Sequence, residues 1–553
     1  MTKYIFVTGG VISGIGKGIT TASLGRLLIN RGFKVMVVKI DPYLNSDAGT
    51  MDPFQHGEVF VTRDGAETDL DLGNYERFLG IDLNRNSNFT TGSVYSEVIA
   101  KERRGDYQGQ TVQLIPHITD EIKERIYRLG CDGDAEVIIT EIGGTIGDFE
   151  MPPFVEAIRQ MAVEVGRENT LFIHVSLIYT LPNGENKSKP TQHSIRKLQE
   201  FGIQPDLLIC RTGHPMDEGM RKKISLLCGL GEEYIVEGRN VELVDEIPLN
   251  FERQGMAHLV IKKLQLEDRP PIDAEWAGMV ERLKNPKHHT QIAIVGKYVQ
   301  GSDTYLSVEE ALKHGGIANE SAVDIKWVDS ETLIDHHNLE EQFADVDGIL
   351  VPGGFGYRGI EGMIVAVHYA REHHMPFFGL CLGMQCMVIE FARYIVKLKN
   401  ANSSEFDKET PHPVIDLMPD QRNMSDLGGT MRLGLSPCVL KEDTKTYAAY
   451  KQPIILERHR HRYEVNNRYR DQLESGGLCF SGMSPDSSLI EIAEIPDHPW
   501  MVGSQFHPEF QSKPLAPHPL FRDFIQAALH RQQQREAQTE QVSKGALLNG
   551  TNQ

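Results

Sequence analysis

The sequence predicts an α/β protein built as two separate domains, each around a largely parallel sheet. Two series of short apolar runs and the break between them carry this expectation. The first series, at residues 4–8, 35–40, 137–141, 171–175 and 206–210, alternates with helix-like stretches, as in a parallel sheet covered on both faces. The second begins afresh at 291–295 and continues at 347–351, 376–380 and 501–506. Between them, residues 266–290 are polar and proline-bearing (LEDRPPID, then RLKNPKHH) and read as an interdomain linker. A chain of 553 residues also exceeds what one core organises. The expected division is therefore 1–265, a linker over 266–290, a second domain over 291–530, and a frayed polar tail over 531–553.

Composition narrows the function classes. With 40% hydrophobic and 24% charged residues the chain has material for real cores. A net charge of −20 offers no broad basic face, which argues against general nucleic-acid or membrane-surface binding. The opening apolar run is too short for a signal peptide, and no segment has membrane-spanning length. Seven cysteines without a paired C-x-x-C pattern favour neither a disulfide framework nor a zinc site. The cytoplasm is the expected compartment.

The first strand runs into Thr8-Gly9-Gly10-Val11-Ile12-Ser13-Gly14-Ile15-Gly16-Lys17-Gly18, followed by a helical stretch. Glycines let backbone N–H groups close around phosphate oxygens, the helix start adds partial positive charge, and Lys17 supplies a mobile cation. The fit to G-x-x-x-x-G-K-[ST] is imperfect. Val11 stands where the first glycine belongs, and Gly18 replaces the hydroxyl that would hold magnesium. Hard oxygen ligands must come from elsewhere, and Asp71 in ETDLDLG and Glu141 after VIIT are the candidates. Lys39 closes the second strand, at the sheet edge where ligands bind.

In the second domain, Gly379-Leu380-Cys381-Leu382-Gly383 joins an apolar strand to the helix MQCMVIEFAR. Small flanking residues permit a strained turn that exposes a thiol at a helix start, so Cys381 is the expected nucleophile and the other cysteines are expected in cores. A thiol acting on an amide also needs a base and an oxyanion site. Gly503-Ser504-Gln505-Phe506-His507-Pro508-Glu509 supplies an imidazole with a carboxylate two positions on. Pro352-Gly353-Gly354-Phe355-Gly356 can aim a backbone N–H at a tetrahedral oxyanion. RHRHR at 458–462 suits an exposed strand face.

Through GGVISGIGKG, DPYLNSDAGTMDPFQHGEVFV, DGAETDLDLGNYERF and KSKPTQHS, the sequence resembles the CTP synthase family. PGGFG, GLCLGMQ and GSQFHPE resemble class I glutamine amidotransferases, and together the likeness spans residue 1 to about residue 530. The resemblance implies a dethiobiotin-synthetase-like P-loop domain followed by a class I glutamine amidotransferase domain. It also implies a carbon–nitrogen ligase that phosphorylates UTP at O4 with ATP and displaces the phosphate with ammonia from L-glutamine. It assigns Gly14, Ile15, Gly16, Lys17, Gly18 and Ile19 to ATP phosphates, with Lys39 and Asp71 alongside. Mg2+ falls to Asp71 and Glu141, and the adenine surroundings to Arg239, Asn240 and Val241.

UTP and the feedback inhibitor CTP are assigned Ser13, Asp148, Phe149, Glu150, Lys187, Ser188, Lys189, Pro190, Thr191, Gln192 and Lys223. Cys381, His507 and Glu509 match the family triad. Gly354 and Leu382 match the oxyanion backbone, and Leu382, Gly383, Met384, Gln385, Glu405 and Arg462 the glutamine pocket. The resemblance further implies activation by GTP under a lid at 428–434, and an interior ammonia path with His56 and Val59 near its mouth. It implies a homotetramer, with stacking of tetramers into filaments as a further expectation. Rival readings are a P-loop amidoligase acting on a carboxylate, and a regulatory ATPase carrying a silent glutaminase-like domain or acting as a scaffold.

Overall fold

The computed structural model describes residues 2–132, 135–299, 301, 303–333, 339–418 and 430–550, with side chains of the last helix described to residue 537. The chain divides into two compact units, residues 1–48 with 71–280, and residues 49–70 with 281–553.

Unit 1 has one seven-stranded sheet. Its strands are β1 (Lys3–Gly9), β2 (Val35–Asp41), β3 (Asn88–Thr90), β4 (Val137–Ile142), β5 (Thr170–Leu177), β6 (Leu207–Thr212) and β7 (Ile235–Arg239), in the order β7-β6-β5-β1-β4-β2-β3. Every pairing is parallel. All of β4 is buried and so is β5 up to its last residue, which is why these strands read as unbroken apolar runs rather than alternating ones. Helix α1 (Lys17–Ile29) follows β1, α2 is Asp71–Leu79, α3 is Lys189–Glu200 and α4 is Glu218–Cys228. Strand order reverses beside β1, so the loop after β1 opens at the carboxyl edge, where such sheets bind ligands.

Part of the stretch read as a linker is helical. Residues Ala274–Lys284 form α5, which buries Trp276, Met279 and Val280, with Trp276 Nε1 donating to the Asp245 carbonyl at 2.8 Å. These apolar residues recur at helical spacing, a short amphipathic pattern masked by the prolines and charges on either side.

Unit 2 has a nine-stranded sheet. Strands β8 (His288–Gly296), β9 (Ser321–Asp329), β10 (Gly348–Val351), β11 (Phe377–Leu380), β12 (Arg432–Leu440), β13 (Ile454–His461), β14 (Cys479–Met483), β15 (Ile490–Glu494) and β16 (Met501–Ser504) lie in the order β9-β8-β10-β11-β16-β15-β14-β12-β13. From β9 to β16 the pairing is parallel and beyond β16 it is antiparallel. Helix α6 is Leu306–Ala318, α7 is Leu382–Tyr394 and α8 is Pro519–Gly550.

Two expectations change here. Residues 49–70, placed by the sequence in the first domain, belong with unit 2. Glu58 there accepts from both the backbone and the hydroxyl of Ser307 at the start of α6 (3.0 and 2.6 Å), and Glu67 takes Arg460 Nε at 2.8 Å. The polar tail also continues α8 as helix to Gly550, and Arg535 donates to the Ala344 and Asp345 carbonyls and to Asp347. Long polar side chains, not an apolar stripe, anchor that part. Among the described residues no helix is long and apolar enough to cross a membrane.

Candidate functional site

In unit 1 the loop between β1 and α1 explains both departures from the P-loop pattern. Val11 has φ +87°, the left-handed conformation that a glycine would adopt freely and a β-branched residue holds only under strain. A Cβ on Gly18 would lie 2.4 Å from Asp71 Oδ1, so the position that lacks a hydroxyl is the one against which the Asp71 carboxylate packs. The missing hydroxyl oxygen is thus answered by a carboxylate oxygen from α2.

Lys17 is buried and its Nζ donates to the Gly144 carbonyl at 2.7 Å. Burial lowers its pKa, opposed by Glu141 and Asp71. Lys39 gathers both acids: its Nζ donates to Glu141 Oε1 at 3.0 Å and to Asp71 Oδ2. Burial disfavours the Lys39 charge, yet Asp71 and Glu141 outweigh it and hold the ammonium well above its ordinary range. Tyr75 gives its hydroxyl to the other Glu141 oxygen, and burial, then Glu141, raises its pKa well above normal. Two hard carboxylates converging on one cationic point match what magnesium requires beside a nucleotide, so the donor set fits that ion.

In unit 2 the turn from β11 into α7 places Cys381 at φ +50°, ψ −99°, almost fully buried. The flanking glycines are obligatory by contact: a Cβ on Gly379 would meet the Gly383 carbonyl carbon at 2.6 Å, and one on Gly383 the Val351 carbonyl oxygen at 2.1 Å. His507 Nδ1 pairs with Glu509 Oε1 at 2.7 Å. A Cβ on Gly353 would lie 2.9 Å from His507 Cε1 and 3.6 Å from Cys381 Cβ, so thiol, imidazole and the PGGFG loop meet at one point. Burial disfavours the imidazolium, but Glu509 and then Cys381 overcome it and raise the His507 pKa to about 10. A cavity of about 90 Å³ adjoins this point, lined by Cys381, His507, Gly354, Val59, Tyr298 and Arg460 among others.

The PGGFG loop is held from beneath. Lys297 Nζ donates to the Phe355 and Gly356 carbonyls, both at 2.6 Å, and Glu405 accepts the Gly356 N–H at 2.8 Å. Burial lowers the Lys297 pKa to about 8 and raises that of Glu405.

A family model for the CTP synthase N-terminus matches residues 3–266, and one for class I glutamine amidotransferases matches residues 302–527. A CTP synthase of Caldanaerobacter subterraneus is 58% identical over 531 residues, covering 96% of this chain and 99% of that protein. The chain belongs to the CTP synthase family. A CTP synthase of Geobacillus kaustophilus is 56% identical over 530 residues, covering 96% of this chain and all (100%) of that one. The glutaminase domain of Trypanosoma brucei CTPS, solved with bound acivicin, covers 43% of this chain and 93% of that chain at 40% identity and a TM-score of 0.41.

The residues carried over from the CTP synthase family fall unevenly on the structure. Lys189 and Pro190, at the start of α3, line a cleft of about 710 Å³ with Val11, Thr145, Gly147 and Ser194. Asp148 caps the neighbouring turn by accepting the Thr145 N–H at 2.7 Å, while Ser13, Glu150 and the 99% exposed Phe149 face outward. Thr191 and Ser188 point inward, Thr191 to the Leu177 carbonyl at 2.9 Å and Ser188 to Gln192 Nε2 at 2.9 Å. Lys187 pairs with Glu185, and Lys223 lies exposed on α4, neither in that cleft. Arg239, Asn240 and Val241 line a separate cleft of about 490 Å³. Met384 packs on Gly503 and Gln385 turns to the Tyr463 carbonyl at 3.0 Å, so neither side chain is turned to a ligand, while Leu382 Cδ2 lies against Gly354. The backbone O of Arg462 accepts the Met418 N–H at 3.1 Å.

RHRHR is not an exposed face. Arg458, His459 and His461 are buried; Arg458 donates to the Val61 carbonyl at 3.1 Å, and His459 Nδ1 meets His461 Nε2 at 2.9 Å. Partners remote in sequence make the burial tolerable. Of the expected lid, residues 428 and 429 lie outside the described residues, and Arg432 to Gly434 begin β12, with Arg432 paired to Glu464 and Glu491 at 3.2 and 2.7 Å. Cys479 is only partly buried, unlike Cys210, Cys228, Cys386 and Cys438.

Sequence reasoning passed over Arg211, whose Nη2 donates to Asn240 Oδ1 at 2.9 Å and whose guanidinium lies beside Gly16. It also gave no role to Lys297 or Gln505. A signal for the last existed, since Gln505 stands inside the quoted GSQFHPE run.

Proposed function

We infer that this chain is a ligase that makes CTP from UTP, ATP and L-glutamine, each unit performing one half of the reaction. The observation that supports this best is the joint presence of an assembled Cys381–His507–Glu509 centre and a P-loop with Lys39, Asp71 and Glu141 in a member of this family.

In unit 2, Cys381 gives its thiol proton to His507 and its Sγ attacks the amide carbon of glutamine, the carbonyl electron pair moving to oxygen beside the Gly354 and Leu382 backbone N–H groups. As the tetrahedral adduct collapses, the C–N bond breaks and His507 passes its proton to nitrogen, releasing ammonia. Water then cleaves the thioester to glutamate, with His507 as base. Glu509 holds the imidazole by Nδ1 throughout.

In unit 1, Lys17 and the loop amides hold the ATP phosphates. Asp71 and Glu141 would hold a magnesium ion, which when bound offsets phosphate charge. The γ-phosphoryl group passes to uracil O4, and ammonia displaces the resulting phosphate to give CTP, ADP and phosphate. Uracil O4 alone is too poor a leaving group. Free ammonia would be protonated and lost in bulk water, so transfer inside the protein follows from the chemistry, and the family resemblance assigns His56 and Val59 to the mouth of that path.

The UTP triphosphate is assigned to Lys187, Lys189, Gln192 and Lys223, with Ser13 alongside, and the cytosine of inhibitory CTP to Asp148, Phe149 and Glu150. The α-amino acid end of glutamine is assigned to Glu405 and Arg462, and adenine to Arg239, Asn240 and Val241. GTP as activator, a homotetramer and a cytoplasmic setting complete the reading.

Purified protein given UTP, ATP, Mg2+ and glutamine should generate CTP, read by its absorbance. Glutamine-stimulated ATP turnover on a carboxylate substrate without CTP would point to another amidoligase. ATP hydrolysis with no glutaminase would point to a silent second unit.

A further inference from the structure

Gln505 lies between β16 and His507 and is fully buried. Its Nε2 donates to Cys381 Sγ at 3.6 Å, a fitting distance for a sulfur acceptor. Its Oε1 accepts Gln385 Nε2 at 3.3 Å, and that nitrogen also donates to the Tyr463 carbonyl at 3.0 Å. The Gln505 backbone N–H is fixed on the Glu491 carbonyl at 2.8 Å. An amide turned the other way would set its nitrogen against the Gln385 nitrogen, donor against donor, so the Gln385 amide, itself fixed on the Tyr463 carbonyl, selects the orientation that aims N–H at the thiol.

His507, at the same point, acts on the thiol as base, and a further polar neighbour of the sulfur does the reverse of Gln505. The Arg460 carbonyl, 3.9 Å from Sγ, can only accept, so it serves the S–H form. One fixed donor and one fixed acceptor thus stand on the same atom, and each favours a different protonation state. In a buried site a preset N–H dipole acts more strongly than in water.

We propose that Gln505 is a further catalytic residue of glutamine hydrolysis, its side-chain N–H stabilising the Cys381 thiolate before attack and again as the leaving group when the thioester is cleaved. This rests on the triad reading above and deepens it. Stabilising a thiolate makes each anion a weaker nucleophile, but nucleophilicity falls only about half as fast as the anion population rises, so the net effect below the thiol pKa is acceleration.

The test uses the full chain with Gln505→Met, similar in shape and without a donor, and Gln505→Glu, which replaces the donor by an acceptor. His507, Glu509, Arg460 and Glu58, the charged groups sharing the cavity, are unchanged in both. Thermal unfolding checks that each variant is folded. The rate of Cys381 alkylation by iodoacetamide is measured across pH, beside kcat and KM for glutamine hydrolysis. The expected result is an alkylation midpoint moved to higher pH in Met and further in Glu, with kcat down roughly 10- to 100-fold in Met and KM nearly constant. An unmoved midpoint in whichever variant folds overturns the proposal, as does a kcat equal to that of the parent. If neither folds, Gln385→Leu, which frees the amide to turn, must shift the midpoint in the same direction or the proposal fails. Failure of the triad reading is distinguishable, because then Cys381 alkylation in the parent would leave glutamine hydrolysis intact.

Discussion

The two sites are built on opposite plans. In unit 2 the groups assigned to the reaction are set by backbone strain and close packing: Cys381 in a positive-φ turn, glycines on both sides that admit no Cβ, and His507 already paired with Glu509. In unit 1 the groups are charges balanced among themselves, with Lys39 between Asp71 and Glu141 and Lys17 on a carbonyl. A nucleophile must be aimed before its substrate arrives, whereas a phosphate grip can be tuned by charge alone. Backbone strain occurs in both loops, at Val11 and at Cys381, but only in unit 2 does it hold the atom assigned to bond with substrate.

The largest expected effect follows from that contrast. Cys381→Ala should reduce glutamine-dependent CTP formation by roughly 10⁴-fold or more while leaving synthesis from ammonium chloride, since only the thiol attack is lost. Retained glutamine-dependent synthesis would remove the triad assignment. Asp71→Asn and Glu141→Gln should each cost roughly 10²- to 10³-fold with either nitrogen source, because phosphoryl transfer precedes both. Survival of ammonia-dependent turnover in both would place the magnesium elsewhere. Gly18→Ala sharpens the same point: its methyl carbon, 2.4 Å from Asp71 Oδ1, must displace that carboxylate, and a loss of about 10- to 100-fold with both sources is expected. Parental activity would show that Asp71 need not pack there.

A subtler difference is in pH. The His507 pKa is raised above its unfolded value of 6.5 to about 10, so its charge contributes stability that is fully present below about 6.5 and is lost as pH rises through about 10. Glu509→Gln should flatten this alkaline decline in the thermal midpoint. Equal slopes in parent and variant would deny the pairing its energetic role. The smallest effect concerns ligand discrimination. Glu150→Ala should weaken CTP inhibition more than it raises the KM for UTP, whereas Lys189→Ala should damage both, read by titrating CTP at several UTP concentrations. Equal losses in Glu150→Ala would mean that both bases share one pocket.

The fold was largely legible because strands buried on both faces leave apolar runs, such as VIITEI, that need no partner to be recognised. The nucleophile turn was legible for a similar reason, since GLCLG is the local sequence that such a turn demands. What stayed hidden depends on partners far along the chain. Residues 49–70 join unit 2 through Glu58 to Ser307 and Glu67 to Arg460, contacts no local pattern announces. Buried RHRHR meets the Val61 carbonyl through Arg458 and Glu491 through His459, partners that no local pattern announces. The role of Gln505 likewise depends on Gln385, 120 residues away.

The central claim, that two sites of such different construction serve one reaction, is tested most directly by tracing nitrogen. The parent protein is given UTP, ATP, Mg2+ and glutamine labelled with ¹⁵N at the amide, in the presence of unlabelled ammonium chloride near neutral pH, and the CTP is analysed by mass. The account predicts CTP labelled at the 4-amino group well beyond the label fraction of free ammonium, with one glutamate formed per labelled CTP. CTP carrying only the isotope ratio of the bulk ammonium, or glutamate released without CTP, would contradict it.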